Sequence, residues 1–237
     1  MSRPLDLSTD WHTHTTMTDG TATPEDMVQA AGAAGLRRIH LTDHVRVDSA
    51  WLPDYVAEVG RVRSSSPVEV VCGVEAKILD VRGRVDLPAD RRGIEQVVVA
   101  DHQFPTRSGP VSPGEMRRRI EAGEMRADDV VADLVLATAR AVFVHERVVV
   151  GHLFSVLPKA GIDLSVVTEE MLATLASAVR AAGAVIEVNE KWRTPSLPMV
   201  LALCGLGVDL VPSSDAHGLQ ALGAWDYVAG SAHAIAA

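Results

Sequence analysis

Short apolar runs alternate with longer amphipathic segments along the whole chain. The apolar runs predict seven strands, at residues 5–14, 38–42, 68–74, 94–100, 147–150, 184–188 and 208–212. Segments with apolar residues at every third or fourth position predict helices between them, at residues 24–35, 53–63, 113–122, 128–143, 168–182 and 196–206. Residues 103–114 are rich in proline and glycine and predict a loop.

This order of elements defines a fold class. Strands that are each followed by a helical or loop crossover indicate an α/β protein with a parallel sheet buried on both faces. If the sheet closes, the fold is a TIM-like barrel of seven βα units, one fewer than the familiar eight. The length of 237 residues suits one such domain over residues 1–237.

The composition narrows the class of protein. With 47% hydrophobic residues the chain can bury a large aliphatic core. The net charge of −9 disfavours nucleic acid as a partner, because binding without sequence preference needs a basic surface. No apolar run reaches the roughly 18 residues of a membrane span, and the first residues lack the apolar core of a signal peptide. Cys72 and Cys204 lie in apolar stretches and indicate buried thiols, so we expect a cytoplasmic protein.

Residues of the kinds that bind metals recur where the predicted strands end. His12 and His14 close the first strand, and residues two apart on a strand point to the same face. The ends of later strands carry His44, Glu75, His102, His152, Asp215 and His217. The C-terminal ends of barrel strands meet at one rim, which holds the active site in TIM-type barrels. We therefore expect these side chains to converge there.

The same residues form the motifs of a known family. The chain resembles the polymerase and histidinol phosphatase (PHP) superfamily from about residue 10 to residue 218. The matching motifs are His12-x-His14 with Asp19-Gly20, Thr42-Asp43-His44, the isolated Glu75, His102, His152 and Asp215-x-His217. The resemblance implies a distorted seven-stranded barrel that holds two or three divalent metal ions, with zinc, manganese and iron as the candidates.

Carried over by position, the resemblance implies three sets of ligands. Asp19 stands where several family members have histidine, and a harder carboxylate ligand favours iron or manganese over zinc at that ion. Glu75 would bridge the first two ions. The implied sets are His12, His14, Glu75 and Asp215 for the first ion, Glu75, His102 and His152 for the second, and Asp19, His44 and His217 for the third.

The implied activity is that of a metal-dependent phosphoesterase, of the histidinol phosphatase type, acting on a small phosphorylated metabolite. The expected mechanism is in-line attack on phosphorus by hydroxide that the metals activate, with Glu75, Asp215 and His217 as the catalytic residues that hold those ions. Positively charged side chains after the strands would bind the phosphate. Arg193 is the first candidate because its forked guanidinium matches phosphate oxygens, and the others are Lys191, Lys77, Arg107 and the amide of Asn189.

Several nearby residues suit supporting roles better. Asp43 and Asp101 precede predicted ligands and point to the opposite face, which favours support of the ligands or helix capping. His40 lies one layer below His44 and is expected in the core. Trp192 is the tryptophan expected to line the substrate site.

Three other functions stay open at this point. A phosphodiesterase or nuclease acting on nucleotides would use the same ligands, although the acidic composition weakens this alternative. An amidohydrolase-like C–N hydrolase commonly has a carboxylated lysine at the end of the fourth strand, where this chain has His102. A structural module with a decayed site would lack ligands, whereas all nine are present here. The pattern carries no information on the oligomeric state.

Overall fold

The computed structural model describes residues 4–237. This part of the chain contains nine strands and eight α-helices, joined by loops. In chain order the strands are β1 (Thr9–Thr13), β2 (Arg38–Leu41), β3 (Glu69–Lys77), β4 (Gln96–Ala100), β5 (Phe104–Thr106), β6 (Gly109–Val111), β7 (Val148–Gly151), β8 (Val185–Asn189) and β9 (Leu210–Ser213). Seven of them form one sheet in the order β1-β2-β3-β4-β7-β8-β9, and each neighbouring pair is parallel. The predicted α/β fold with seven parallel strands is confirmed.

The two edges of this sheet meet, so the sheet forms a nearly closed barrel. Just beyond β1, the backbone N–H of His14 donates to the carbonyl of Ala216 over 2.8 Å. The N–H of Asp215 donates to the carbonyl of His12 over 2.9 Å. The seam therefore joins the predicted ligands at the end of the first strand to those after the last strand.

The helices begin and end where the sequence has capping signals. The Thr23 hydroxyl accepts the N–H of Asp26 and the Thr168 hydroxyl accepts the N–H of Met171, while Gly183 ends the sixth helix at φ 64°. No helix within residues 4–237 has the length and apolar character needed to cross a membrane. The helices are α1 (Pro24–Ala33), α2 (Leu52–Ser65), α3 (Pro113–Glu121), α4 (Ala127–Ala141), α5 (Val156–Lys159), α6 (Glu169–Ala182), α7 (Leu197–Gly205) and α8 (Tyr227–Ala236).

Both faces of the sheet are buried, which explains the long valine runs. Every residue of β4 is buried. The outer face packs against the helices in the main core. Inside the barrel, Val98, Val149 and Val211 form a small second core with Trp11 and Val185. Apolar side chains thus fill the interior of the barrel, while the predicted ligands gather where the strands end.

Residues 103–114 differ from the predicted loop because they contain the antiparallel hairpin of β5 and β6. Phe104 anchors the hairpin in the core and is 0% exposed. The Thr106 hydroxyl donates to the carbonyl of Gly109 over 2.6 Å, and Gly109 adopts a φ of 116° that favours glycine. Strands of three residues are too short to give a periodic signal.

Other bounds also differ from the predictions. β1 begins at Thr9 instead of residue 5, and β3 continues to Lys77, so Glu75 lies inside a strand instead of after it. The single-turn helix α5 and the terminal helix α8 were not predicted.

Candidate metal centre

The Glu75 carboxylate lies at the centre of a group of imidazoles at the barrel rim. Its Oε1 lies 2.9 Å from His102 Nε2 and 3.0 Å from His152 Nε2. Its Oε2 lies 2.8 Å from His44 Nδ1. With only 1% of its surface exposed, this carboxylate is paired with histidines instead of water.

His12 and His14 lie side by side against the same carboxylate. Their Nε2 atoms are 3.0 Å apart, and each lies 3.5 Å from Glu75 Oε2. His14 Nε2 also lies 3.5 Å from Asp215 Oδ1. All four side chains are buried. The alternation of a strand therefore turns two imidazoles toward one point, as the spacing predicts.

Asp19 joins the outermost histidines of the cluster. Its Oδ2 lies 3.3 Å from His44 Nε2 and 3.3 Å from His217 Nε2, and its Oδ1 lies 3.6 Å from His14 Nδ1. The Asp19 side chain is 52% exposed. With these contacts, the structure brings all nine predicted ligands together at one rim.

The cluster contains three overlapping sets of atoms that could each hold an ion. The atoms of each set lie within 4.8 Å of one another. His14 and His44 each belong to two sets, whereas the resemblance assigned each of them to a single ion. The geometry therefore does not divide the ligands among the ions as sharply as the resemblance implies. The sets are His12, His14 and Asp215, then His44, Glu75 and His102, and finally His14, Asp19, His44 and His217.

The spacing of these atoms fits divalent cations. Zinc binds nitrogen and oxygen at about 2.0–2.2 Å, which places neighbouring ligands of a tetrahedral ion roughly 3.3 Å apart. The contacts across the cluster run from 2.8 Å to 3.6 Å. His14 Nδ1 is buried without a hydrogen-bond partner among residues 4–237, a costly state that a bound cation relieves. Imidazoles combined with carboxylates suit zinc, manganese or iron.

The charges of the cluster keep its buried carboxylates ionised. Burial opposes the charge of Glu75, but the nearby charges of His12 and His102 outweigh it and hold the pKa of Glu75 well below its ordinary value. Burial likewise opposes the charge of Asp215, but the hydrogen bond with His14 and the charge of His12 lower the pKa of Asp215. Both side chains are thus ready to bind a cation at neutral pH.

His152 is oriented by a second carboxylate, as predicted for Asp101. Its Nδ1 lies 3.1 Å from Asp101 Oδ1, which also accepts the Ser155 hydroxyl over 3.0 Å. Although burial opposes protonation, the hydrogen bonds with Asp101 and Glu75 raise the pKa of His152 to about 10. A cation at His152 Nε2 must therefore displace a proton.

Asp43 supports the segment between His14 and Asp19. Its carboxylate accepts the N–H of Thr15 over 2.9 Å, the hydroxyl of Thr15 over 2.8 Å and the hydroxyl of Thr18 over 2.6 Å. These three bonds fix the turn that carries Asp19 back over the rim. These contacts agree with a supporting role for Asp43.

Glu187 is a supporting residue that sequence reasoning missed. It is fully buried on β8, and its Oε2 lies 3.0 Å from His12 Nδ1. Its Oε1 accepts the backbone N–H of His152 and, over 2.7 Å, the amide of Asn189. Glu187 therefore orients one predicted ligand ring and the backbone of another. A carboxylate inside the apolar run of β8 was the available signal, since a buried acid needs partners.

Two predicted ligands have a strained backbone. His152 has φ 24° and Asp215 has φ 52°, values that side-chain-bearing residues rarely adopt. Hydrogen bonds from their backbone N–H groups to Glu187 and to the His12 carbonyl hold these conformations. Strain of this kind concentrates at functional sites.

A cavity of about 190 Å³ lies over the cluster and is lined by seven of the predicted ligands together with Lys159, Lys191 and Trp192. Lys159 Nζ lies 3.8 Å from the centre of the Trp192 ring. Lys191 Nζ lies 3.3 Å from Asp215 Oδ1, and Trp192 Nε1 donates to Asp215 Oδ2 over 2.9 Å. Lys159 was missed because its short helix α5 gives no pattern.

The remaining predicted substrate-binding residues lie outside this cavity. Lys77 points to an adjoining cavity, and Arg107 is exposed in the turn of the β5–β6 hairpin. Arg193 pairs with Asp226, and its contact with phosphate stays a prediction. Asn189 is fully buried, and its amide group bonds to Glu187 and to the N–H of Trp192.

The protein is a nearly closed α/β barrel with a cluster of histidines and carboxylates at the ends of its strands, and this cluster could hold metal ions. The sequence profile of the PHP domain matches residues 10–191, well over half of the chain. The chain belongs to the PHP domain family, which confirms the resemblance. The match stops before Asp215 and His217, which closure of the barrel brings to the rim. A comparison with curated proteins gives no match.

The fold is shared with a solved structure from Listeria monocytogenes. The chain is similar to a Listeria monocytogenes protein described as a "putative histidinol phosphatase", with a TM-score of 0.57 and 16% identity over 91% of this chain and 97% of that one. It is also similar to an HpcH/HpaI aldolase from Desulfitobacterium hafniense, with a TM-score of 0.40 and 14% identity over 88% of this chain and 87% of that one.

Proposed function

We propose that this protein is a metal-dependent phosphoesterase that hydrolyses a phosphomonoester of a small metabolite, as histidinol phosphatases do. The observation that carries the proposal is a cluster of imidazoles and carboxylates that shares one small cavity with two lysines. Membership of the PHP family and the fold shared with the Listeria protein support it.

Two or three ions of zinc, manganese or iron are the proposed cofactors. When bound, such ions supply a water of lowered pKa and positive charge for the phosphoryl oxygens. Glu75, Asp215 and His217 are proposed as the catalytic residues, because they line the small cavity and would hold the ions there. The full set of proposed ligands is His12, His14, Asp19, His44, Glu75, His102, His152, Asp215 and His217.

The two lysines of the cavity suit a phosphate dianion. Lys191 and Lys159 present ammonium groups whose three donors each can meet phosphoryl oxygens without a fixed orientation. Trp192 supports both, since its ring lies 3.8 Å from Lys159 Nζ and its N–H is bonded to Asp215. These residues would position the ester above the cluster and exclude water from its far side.

The size of the site favours a monoester of a small alcohol. A cavity of about 190 Å³ lies below the 300–1,000 Å³ typical of sites for larger ligands. A nucleic-acid substrate would also meet the repulsion of a chain with net charge −9. Hydrolysis of nucleotides as diesters is therefore the weaker alternative.

Turnover of 4-nitrophenyl phosphate by the metal-loaded protein tests the proposal. We expect activity that EDTA abolishes, that added Mn²⁺ restores and that His12→Ala reduces at least a hundredfold. His233→Ala, which changes an exposed histidine on α8, serves as the matched control and should keep full activity. Faster hydrolysis of bis(4-nitrophenyl) phosphate would favour a diesterase, and inertness toward a broad panel of phosphate esters would refute the proposal.

A further inference from the structure

A second cavity, of about 340 Å³, adjoins the cluster. It shares His44, Glu75 and His102 with the smaller cavity, so the two cavities adjoin at these side chains. Its other walls are Val45, Arg46, Lys77 and Gln103, and it includes neither lysine of the smaller cavity. We call it the Lys77 cavity.

The Lys77 cavity presents two cationic side chains in an acidic protein. Arg46 and Lys77 line it, and Glu75 is the acid in its wall, already surrounded by imidazoles. Arg46 is exposed and has no ion pair within 4.0 Å among residues 4–237. Lys77 Nζ has one acidic neighbour, Asp86, at 3.4 Å. Both cations thus keep donors available to a ligand.

Backbone contacts position the residues that carry these two cations. The N–H of Val45 donates to the Glu75 carbonyl over 2.8 Å, and the N–H of Val47 donates to Asp86 Oδ1 over 2.8 Å. Arg46 is therefore anchored on both sides. The N–H of Asp86 in turn donates to the carbonyl of Lys77 over 3.0 Å.

The strand geometry puts Lys77 next to the predicted chemistry. Lys77 follows Glu75 by two positions on β3, so both side chains point to the same face of the barrel sheet. A phosphate held at the cluster would therefore lie on the same face of β3 as the Lys77 side chain.

We propose that the Lys77 cavity binds a second anionic group of the substrate, a carboxylate or a phosphate on the alcohol part of the ester. The inference rests on the proposed function, because it places the ester phosphate at the cluster. It also separates this site from one built for histidinol phosphate, whose alcohol part carries an ammonium group. Arg46 and Lys77 would repel that group.

Three phosphonates of nearly equal size test the inference without any turnover. 3-Phosphonopropionate, propylphosphonate and 2-aminoethylphosphonate end in a carboxylate, a methyl and an ammonium group. Calorimetric titration into Mn²⁺-loaded protein should show the carboxylate binding about tenfold more tightly than the methyl compound, and the ammonium compound binding most weakly. The homologues one methylene longer should keep this order.

The double variant Arg46→Gln and Lys77→Met assigns the preference to the Lys77 cavity. We expect the three dissociation constants to come within about threefold of one another, since charge-assisted contacts are lost while much of each aliphatic stem is kept. Arg82→Gln, an exposed arginine after β3 that lines neither cavity, should leave the tenfold preference intact.

Equal binding of the three phosphonates to the unsubstituted protein would overturn the inference, as would a carboxylate preference that survives the double variant. A clear preference combined with no hydrolysis of any phosphate ester would support the anion site and refute the proposed function alone. Hydrolysis of 4-nitrophenyl phosphate without a preference among the phosphonates would support the proposed function and refute the anion site.

Discussion

Two buried imidazoles at the rim are held so that one nitrogen of each faces the cluster and the other meets a supporting carboxylate. His12 Nδ1 meets Glu187 and His152 Nδ1 meets Asp101, which turns both Nε2 atoms toward Glu75. A carboxylate on the far nitrogen fixes the ring orientation and makes the near nitrogen a stronger ligand. At the residue scale, the site therefore depends on its supporting acids as well as on its proposed ligands.

Glu187→Gln tests this dependence. The amide keeps the shape of the side chain but removes the charge that faces His12, so we expect the affinity for Mn²⁺ or Zn²⁺ to fall 10- to 100-fold. Glu124→Gln, at an exposed position after α3, should leave the affinity unchanged. Metal titration followed by calorimetry gives both values. Equal affinities in the two variants would show that Glu187 does not orient a ligand.

His40 predicts a pH dependence of stability in the metal-free protein. It is 1% exposed, stacks on Trp11 at 4.4 Å and meets Gln96 Oε1 at 2.6 Å, and burial lowers the pKa of His40 to about 3. The unfolded chain takes up this proton near pH 6.5, so its stabilising contribution is lost as the pH falls from 6.5 toward 3. The expected slope is about 1.4 kcal/mol per pH unit.

His40→Asn isolates this contribution, because its amide can still donate to Gln96. Urea unfolding at pH 7 and pH 5 should show a loss of stability on acidification that is about 2 kcal/mol smaller in the variant than in the unsubstituted protein. An identical loss in both proteins would mean that His40 accepts a proton in the folded state.

At the scale of elements, the ends of the strands could be predicted from the sequence. Strands of a parallel sheet buried on both faces are continuous apolar runs in the sequence, and each run ends where its strand ends. Glu75 and His152 each follow such a run, and their convergence follows from the topology alone. The β5–β6 hairpin and Lys159 on α5 could not be predicted, because elements of three or four residues carry no period. The ion pair of Arg193 with Asp226 could not be predicted either, because only the tertiary fold brings the two side chains together.

Gly20, in the turn between β1 and α1, and Gly60, in α2, have different surroundings, which predict opposite effects of substitution by alanine. A Cβ on Gly20 would lie 2.6 Å from the His14 carbonyl oxygen, so Gly20→Ala should destabilise the protein by about 1–3 kcal/mol and weaken metal binding. Gly60 lies exposed in α2 with open space around it, so Gly60→Ala should stabilise by up to about 1 kcal/mol. Thermal unfolding compares them, and a neutral Gly20→Ala would contradict the tight turn.

At the scale of the whole molecule, the proposed ligands lie on both sides of the barrel seam. His12 and His14 come from the first strand, and Asp215 and His217 follow the last. An ion bound by both groups would link the two edges that backbone hydrogen bonds already join. Metal binding should therefore stabilise the entire barrel and not just its loops.

Removal of metal should thus lower the unfolding temperature. With free metal at about 100 times its dissociation constant, the stabilisation is about 2.7 kcal/mol, or roughly 5–10 °C for a chain of this size. Differential scanning calorimetry with and without EDTA measures the change, and Mn²⁺ should restore the original value. An unfolding temperature that is insensitive to both would contradict the link between metal and barrel.

The most direct test of the central claim is an anomalous diffraction map from crystals of the protein grown with Mn²⁺. We expect two or three strong peaks at the C-terminal rim of the barrel. Each peak should lie within about 2.5 Å of side-chain atoms of the nine proposed ligands, and Glu75 should contact two of the peaks. A map with no peak at this rim, or with manganese bound only elsewhere on the protein, would contradict it.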